Sequence, residues 1–155
     1  MDKKTELTLE IWRETISVQK HFNELEIKIR GLAITVLGAL LGAVGFSLKE
    51  DLNFKLWDQE IRIAVFLLAV ALIVWVAFYL MDRLWYHRLL YGAVRHGIKV
   101  ENALKSKLPE IDLSTTIGEW SPIKIFSCKI HSTNKIDIFY GLVAASIVAF
   151  IFAIY

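Results

Sequence analysis

The sequence predicts an all-α integral membrane protein. Each protomer has three transmembrane helices, an N-terminal amphipathic helix and a small, mainly helical cytoplasmic part, and the protomers assemble as a homo-oligomer. Three observations lead there. First, residues 31–48, 63–81 and 138–155 are uncharged apolar runs of 18, 19 and 18 residues in a chain of 155. At about 1.5 Å of rise per residue, helices of that length just cross a hydrocarbon core of about 30 Å. Second, residues 64–80 hold nothing more polar than Trp75 and Tyr79, so the periodic polar face of a helix on a soluble core is missing. Third, small residues recur at helical spacing in the first and third runs, the pattern by which helices pack closely in lipid.

Taken in order, residues 1–30 read as a cytoplasmic amphipathic helix, 31–81 as two transmembrane helices with a short outer loop, 82–137 as a cytoplasmic segment and 138–155 as the third transmembrane helix. Six acids and six bases precede the first apolar run, which does not resemble a cleaved signal, so Met1 is expected to be kept. In that N-terminal piece Ile11, Val18 and Leu25 recur every seven residues, and Phe22, Ile29, Trp12 and Ile16 widen the stripe. Its polar face is not rich in cations, which favours packing on the chain's own cytoplasmic part or on a neighbouring subunit over the membrane surface. The helix is expected to run directly into the first span.

Cations set the orientation. They concentrate before residue 31 and between residues 82 and 137, whereas the loop around residues 51–60 carries mainly acids. The positive-inside rule then places the N-terminus and residues 82–137 of this multi-pass chain in the cytoplasm. Phe54 and Trp57 fall at the outer surface, and Trp85, Tyr86, Phe139 and Tyr140 near the inner one. The net charge of +2 is too small to argue for nucleic acid. A single cysteine, Cys128, excludes an internal disulfide.

The first span carries Gly31, Thr35, Gly38, Gly42 and Gly45 at spacings of 4, 3, 4 and 3, which stacks them along one seam. The third repeats the device with Gly141, Ala145, Ala149 and Ala153, each four apart. These seams mark close packing within the protomer, between protomers, or both. No acid, base or histidine lies inside any span, and their small polar residues are Thr35, Ser47 and Ser146. An ion-coupled carrier or proton relay normally needs ionisable groups at membrane depth, so that class is set aside. A ring of protomers around an apolar lumen, gated by wetting, stays open.

Beyond the second span a helix is expected to continue over residues 82–108, its end set by Pro109. Arg88, Arg95 and Lys99, spaced seven and four, share one of its faces, which suits lipid phosphates, a nucleotide or an acidic partner. The remainder, 111–135, mixes the turn signals Gly118, Ser121-Pro122 and Ser132-Thr133-Asn134 with a β-prone run at residues 123–126, and reads as short helices or a hairpin.

Catalytic signatures are missing. His21, His87, His96 and His131 include no pair at i, i+4, and no Cys-x-x-Cys, His-Glu-x-x-His, Gly-x-Ser-x-Gly or phosphate-cradling glycine loop occurs. No metal or other cofactor, and no enzymatic activity, is expected. An RNA-cleaving pair of Arg88 and His96 has seven residues between its members.

The run from Asp82 through Tyr86, His87, Arg88, Leu89, Leu90, Gly92, Ala93 and Val94, then Glu101 and residues 113–117, resembles the juxtamembrane pattern of the RipA family of small bacterial membrane proteins. It is also similar to the small membrane proteins that accompany certain RNA-targeting CRISPR effectors and form pore-like octamers. The Arg-x4-6-His element found in some of those proteins has no correctly spaced counterpart here. The resemblance implies an octameric inner-membrane assembly with a cytoplasmic vestibule and a role in phage defence.

The expectation is therefore a homo-oligomeric channel or membrane-perturbing effector that answers a cytoplasmic protein, nucleotide or nucleic-acid signal. The alternatives are a non-conducting anchored scaffold and a membrane-bound RNA nuclease. Gly38, Gly42, Gly45, Gly141, Ala145 and Ala149 are the candidate packing residues. Tyr86, His87, Arg88, Arg95, Lys99 and Glu101 are the candidate cytoplasmic interface or signal site. Lipid and further copies of the chain are the expected partners.

Overall fold

The computed structural model describes all residues except Met1, Asp58, Phe126, Ser127 and His131. The end of the β-prone run and one of the four histidines therefore lie outside the described residues, as does Met1.

The N-terminal amphipathic segment and the first apolar run form one uninterrupted helix, α1 (Lys3–Lys49). Asp2 caps it by accepting the Thr5 backbone N–H at 2.7 Å, which satisfies one of the free donors of the first turn. It stops in a left-handed cap. Asp51 has φ of 48°, its N–H donates to the Leu48 carbonyl, and the Leu52 N–H donates to the Ser47 carbonyl. A short antiparallel hairpin follows, β1 (Asn53–Leu56) and β2 (Gln59–Arg62), with Phe54 opposite Ile61. This hairpin occupies what an all-α reading leaves as plain loop.

The second apolar run is α2 (Ile63–Leu80), whose inward face is Ala64, Leu68, Ala71 and Trp75. It passes into a π-helical segment, Met81–Tyr86, and then α3 (His87–Leu104). A continuous α-helix to Pro109 is thus corrected twice. The π turns change the register at Met81, and the helix ends at Leu104, five residues before the proline. A short α4 (Leu113–Trp120) and a second hairpin, β3 (Ile123–Ile125) with β4 (Cys128–Ile130), fill the mixed region. The last helix, α5 (Ser132–Ile154), starts six residues before the apolar run. Ser132-Thr133-Asn134 therefore opens a helix, a position that suits these residue types as well as a turn does.

Among the described residues three helices are long and apolar enough to cross a membrane: Lys3–Lys49, Ile63–Leu104 and Thr133–Ile154. The chain divides into two compact units. One, called here the polar unit, comprises Met1–Ile27 and Arg83–Ile136; the other, the apolar unit, comprises Lys28–Asp82 and Asp137–Tyr155.

Within the apolar unit the Trp75 indole N–H donates to the Tyr140 carbonyl at 2.9 Å, and its ring packs against Phe139 and Tyr140. The Tyr79 hydroxyl donates to Asp137 Oδ1 at 3.1 Å, and Arg62 donates to the Ile154 carbonyl at 3.0 Å, satisfying a free acceptor at the end of α5. Asp82 is fully buried and receives a two-pronged contact from Arg30, Nε to Oδ2 at 2.7 Å and Nη2 to Oδ1 at 3.2 Å. The planar guanidinium matches a carboxylate in this way, which compensates the burial of the charge.

Candidate functional site

Two surfaces and one buried network bear on function. The first surface is made by the small-residue seams. On α1 the residues turned inward are Ala33, Val44 and Ser47, whereas Gly31, Thr35, Gly38, Gly42 and Gly45 lie on the exposed side of the helix. A methyl group built on any of those four glycines meets nothing within 4 Å. On α5 the inward residues are Ile136, Tyr140 and Ile147, and Gly141, Ala145, Ala149 and Ala153 are exposed. Gly141 likewise has open space in front of it. Both seams thus point away from the protomer's own helices. Thr35 and Ser146 on these faces bond back to the carbonyls four residues earlier, which leaves the surface without free hydroxyl donors.

The buried network belongs to the polar unit and is centred on Glu101, which is 2% exposed. Its Oε1 accepts the Ser114 backbone N–H at 2.6 Å and the Trp12 indole N–H at 3.3 Å. Its Oε2 accepts the Thr115 N–H at 2.9 Å and the Thr115 hydroxyl at 2.8 Å. Ser114 and Thr115 open α4, so Glu101 performs from α3 the task of a capping side chain, while Asp112, at the capping position itself, makes no cap hydrogen bond. Burial works against ionisation of Glu101, but the bonds from Ser114 and Thr115 prevail and hold its carboxyl below the usual glutamate range.

Beside it Gln19 donates from Nε2 to the Ala93 carbonyl at 3.2 Å and to Ser114 Oγ at 3.1 Å. Gly97 is needed here, because a Cβ would collide with both Gln19 Nε2 and Ser114 Oγ. His87, also buried, has Nδ1 3.1 Å from Glu26 Oε1 and Nε2 3.2 Å from Thr133 Oγ1. At the start of α1, Lys107 binds Asp2 and donates to Thr5 Oγ1 at 2.9 Å, and its ammonium holds the Asp2 carboxyl well below the usual range.

The second surface is the outer side of α3. Arg88, Arg95 and Lys99 are exposed along one line of the helix, and Arg95 sits 5.9 Å from the centre of the Tyr91 ring. No family model, curated protein or solved structure matches the chain.

The six residues expected to form one interface or signal site fall into two sets. Arg88, Arg95 and Lys99 share an exposed face; His87 and Glu101 lie on the buried side of the same helix; Tyr86 is half-buried and stacks on Trp85. His96 is exposed on α3 and lines a groove rather than joining an acid or a second base. Among the described residues no group of three or more His, Cys, Asp or Glu could hold a metal ion.

Sequence reasoning missed Trp12, Gln19, Glu26, Arg30, Asp82, Gly97 and Ser114. One pair among these carried a readable signal. Arg30 and Asp82 are opposite charges that directly border two apolar runs on the same predicted side of the membrane.

Proposed function

We propose that the chain forms a homo-oligomeric inner-membrane channel or membrane-perturbing effector, answering a cytoplasmic signal in antiviral defence. The reading rests on the outward direction of both small-residue seams. In lipid, helices gain little from apolar contact as such, and glycine or alanine faces matter because they let a second backbone approach. A protomer that turns two such faces outward, with open space before Gly38, Gly42, Gly45 and Gly141, is built for neighbours.

The polar unit supports the same reading. Leu7, Ile11, Val18, Leu89, Tyr91, Leu113, Ile117 and Trp120 are exposed there. So much apolar surface outside the spans is typical of faces covered in an assembly.

Subunit counting and efflux test the proposal together. Purified wild type is expected as one uniform multi-subunit species that releases ions from liposomes, and Gly42→Leu and Ala145→Leu should yield smaller species and slower release. A monomeric wild type would sink the proposal. An oligomer that leaves liposomes tight with or without cytoplasmic extract would replace the channel with an anchored scaffold.

A further inference from the structure

The polar unit carries an apolar groove of about 470 Å³ between α1 and α3, lined by Ile11, Val18, Phe22, Leu89, Gly92 and His96 among others. On α3 the exposed cations Arg88, Arg95 and Lys99 flank the lining residues Leu89, Gly92 and His96 at one to four positions along the helix; on α1 Glu14 is itself part of the lining. Elsewhere on the same unit, α4 presents the converse surface. Leu113, Ile117 and Trp120, at spacings of four and three, form one exposed ridge, with Trp120 83% and Ile117 54% accessible. One flank of that ridge is acidic, with exposed Asp112 and Glu119. At 100° per residue the opposite flank is Ser114 and Gly118 and carries no charge.

We infer that α4 of one protomer docks in the α1–α3 groove of the next, so that the polar units join head to tail. This rests on the homo-oligomer reading and names the interface it would use. Helix-in-groove recognition needs apolar anchors at i, i+4 and i+7, which Leu113, Ile117 and Trp120 supply.

Charge selects the occupant and its direction. Asp112 and Glu119 are seven residues apart on α4, as are Arg88 and Arg95 on α3, so each pair spans about 10 Å of its helix axis. The acidic flank meets the basic rim, and the neutral flank meets Glu14. A membrane surface is the poorer occupant for this ridge, because Glu110, Asp112 and Glu119 would be repelled by anionic headgroups. The network explains why Asp112 is free for this contact: Glu101 has taken over the capping of α4. An interface between two different patches is heterologous, and repeating it closes into a ring when the rotation permits. Two grooves facing each other would instead make a closed pair.

The test uses the full chain in membranes with Cys128→Ser as background. His96→Cys is placed on protomers of one tag length and Ile117→Cys on protomers of another, and the mixture is oxidised. Disulfide-linked dimers containing one of each tag are expected, with neither variant linking to itself. Arg95→Glu or Glu119→Arg alone should lower the linked fraction about tenfold, since like charges would then face each other, and the two together should restore it.

Self-linking of His96→Cys, or yields indifferent to both reversals, would overturn the interface. Subunit number of the cysteine-free parent is measured alongside. An oligomer that fails to link discards only the α4–groove contact, whereas a monomer discards the homo-oligomer reading with it.

Discussion

Each unit has an interior of a different chemistry. In the apolar unit the buried positions are Ala33, Val44, Ala64, Leu68, Ala71, Trp75, Tyr140 and Ile147, with Ser47 and Asp82 as polar members. In the polar unit Thr5, Thr15, Glu26, His87, Glu101 and Ser114 are buried, against Val100, Leu104 and Ile136 on the apolar side. Hydrogen bonds orient groups strongly but contribute little net stability in water, about 1 kcal/mol each. A small unit with that interior is specific in geometry and poorly stabilised by burial. Its missing apolar burial sits on its surface, along α1, α3 and α4. The apolar unit thus encloses an apolar core of its own, whereas the polar unit leaves much of its apolar surface uncovered.

The largest effect is expected at Asp82, a charge buried in the apolar unit. Arg30→Ala would leave Asp82 buried without the guanidinium that fits it. Losing one partner of a buried pair typically costs about 3–5 kcal/mol. Thermal denaturation in detergent should show that loss, and Arg30→Met with Asp82→Leu should recover much of it. An Arg30→Ala protein as stable as wild type would mean that the pair does not anchor the unit.

Next in size is the heart of the polar unit. Glu101→Ala strands the Ser114 and Thr115 amides and the Trp12 indole, at a cost of about 3 kcal/mol by loss of bonds to a charged acceptor. Faster amide exchange at the start of α4 and a changed Trp12 emission are the expected signs.

Acid sharpens the same point. The folded carboxyl of Glu101 ionises below the usual glutamate value of about 4.3, so its stabilisation is complete above that pH. It disappears as pH falls through the lowered folded value. Glu101→Gln should flatten this acid limb of the α4 exchange profile, and an unchanged limb would assign it to another group.

Much of this architecture is legible in the sequence because length and charge decide it. The apolar runs at 63–81 and 138–155 mark α2 and most of α5, and the heptad of Ile11, Val18 and Leu25 marks the start of α1. The π segment Met81–Tyr86 has no local residue pattern that separates it from α-helix. The network around Glu101 was equally hidden. Trp12 and Ser114 lie 89 and 13 residues from it, and periodicity in one helix says nothing about a hydrogen bond to another. Periodicity placed Arg88, Arg95 and Lys99 on one face correctly, but His87 and Glu101 fall on the opposite side of the same helix.

Two glycines offer the finest separation of the units. Gly97 lies inside the polar unit, where an added methyl collides with Gln19 and Ser114, so Gly97→Ala should cost about 1–3 kcal/mol as overpacking. Gly42 lies on an outward seam with nothing within 4 Å, so Gly42→Leu should change protomer stability by no more than about 0.5 kcal/mol. Under the proposed function its effect falls on assembly instead. Thermal melts of each variant, taken beside subunit counting, separate the two roles. A Gly97→Ala protein that melts early and a Gly42→Leu protein that melts normally but fails to assemble would divide the glycines between folding and association. If Gly42→Leu melted early while keeping its subunit number, the seam would pack within the protomer and the outward face would lose its role in assembly.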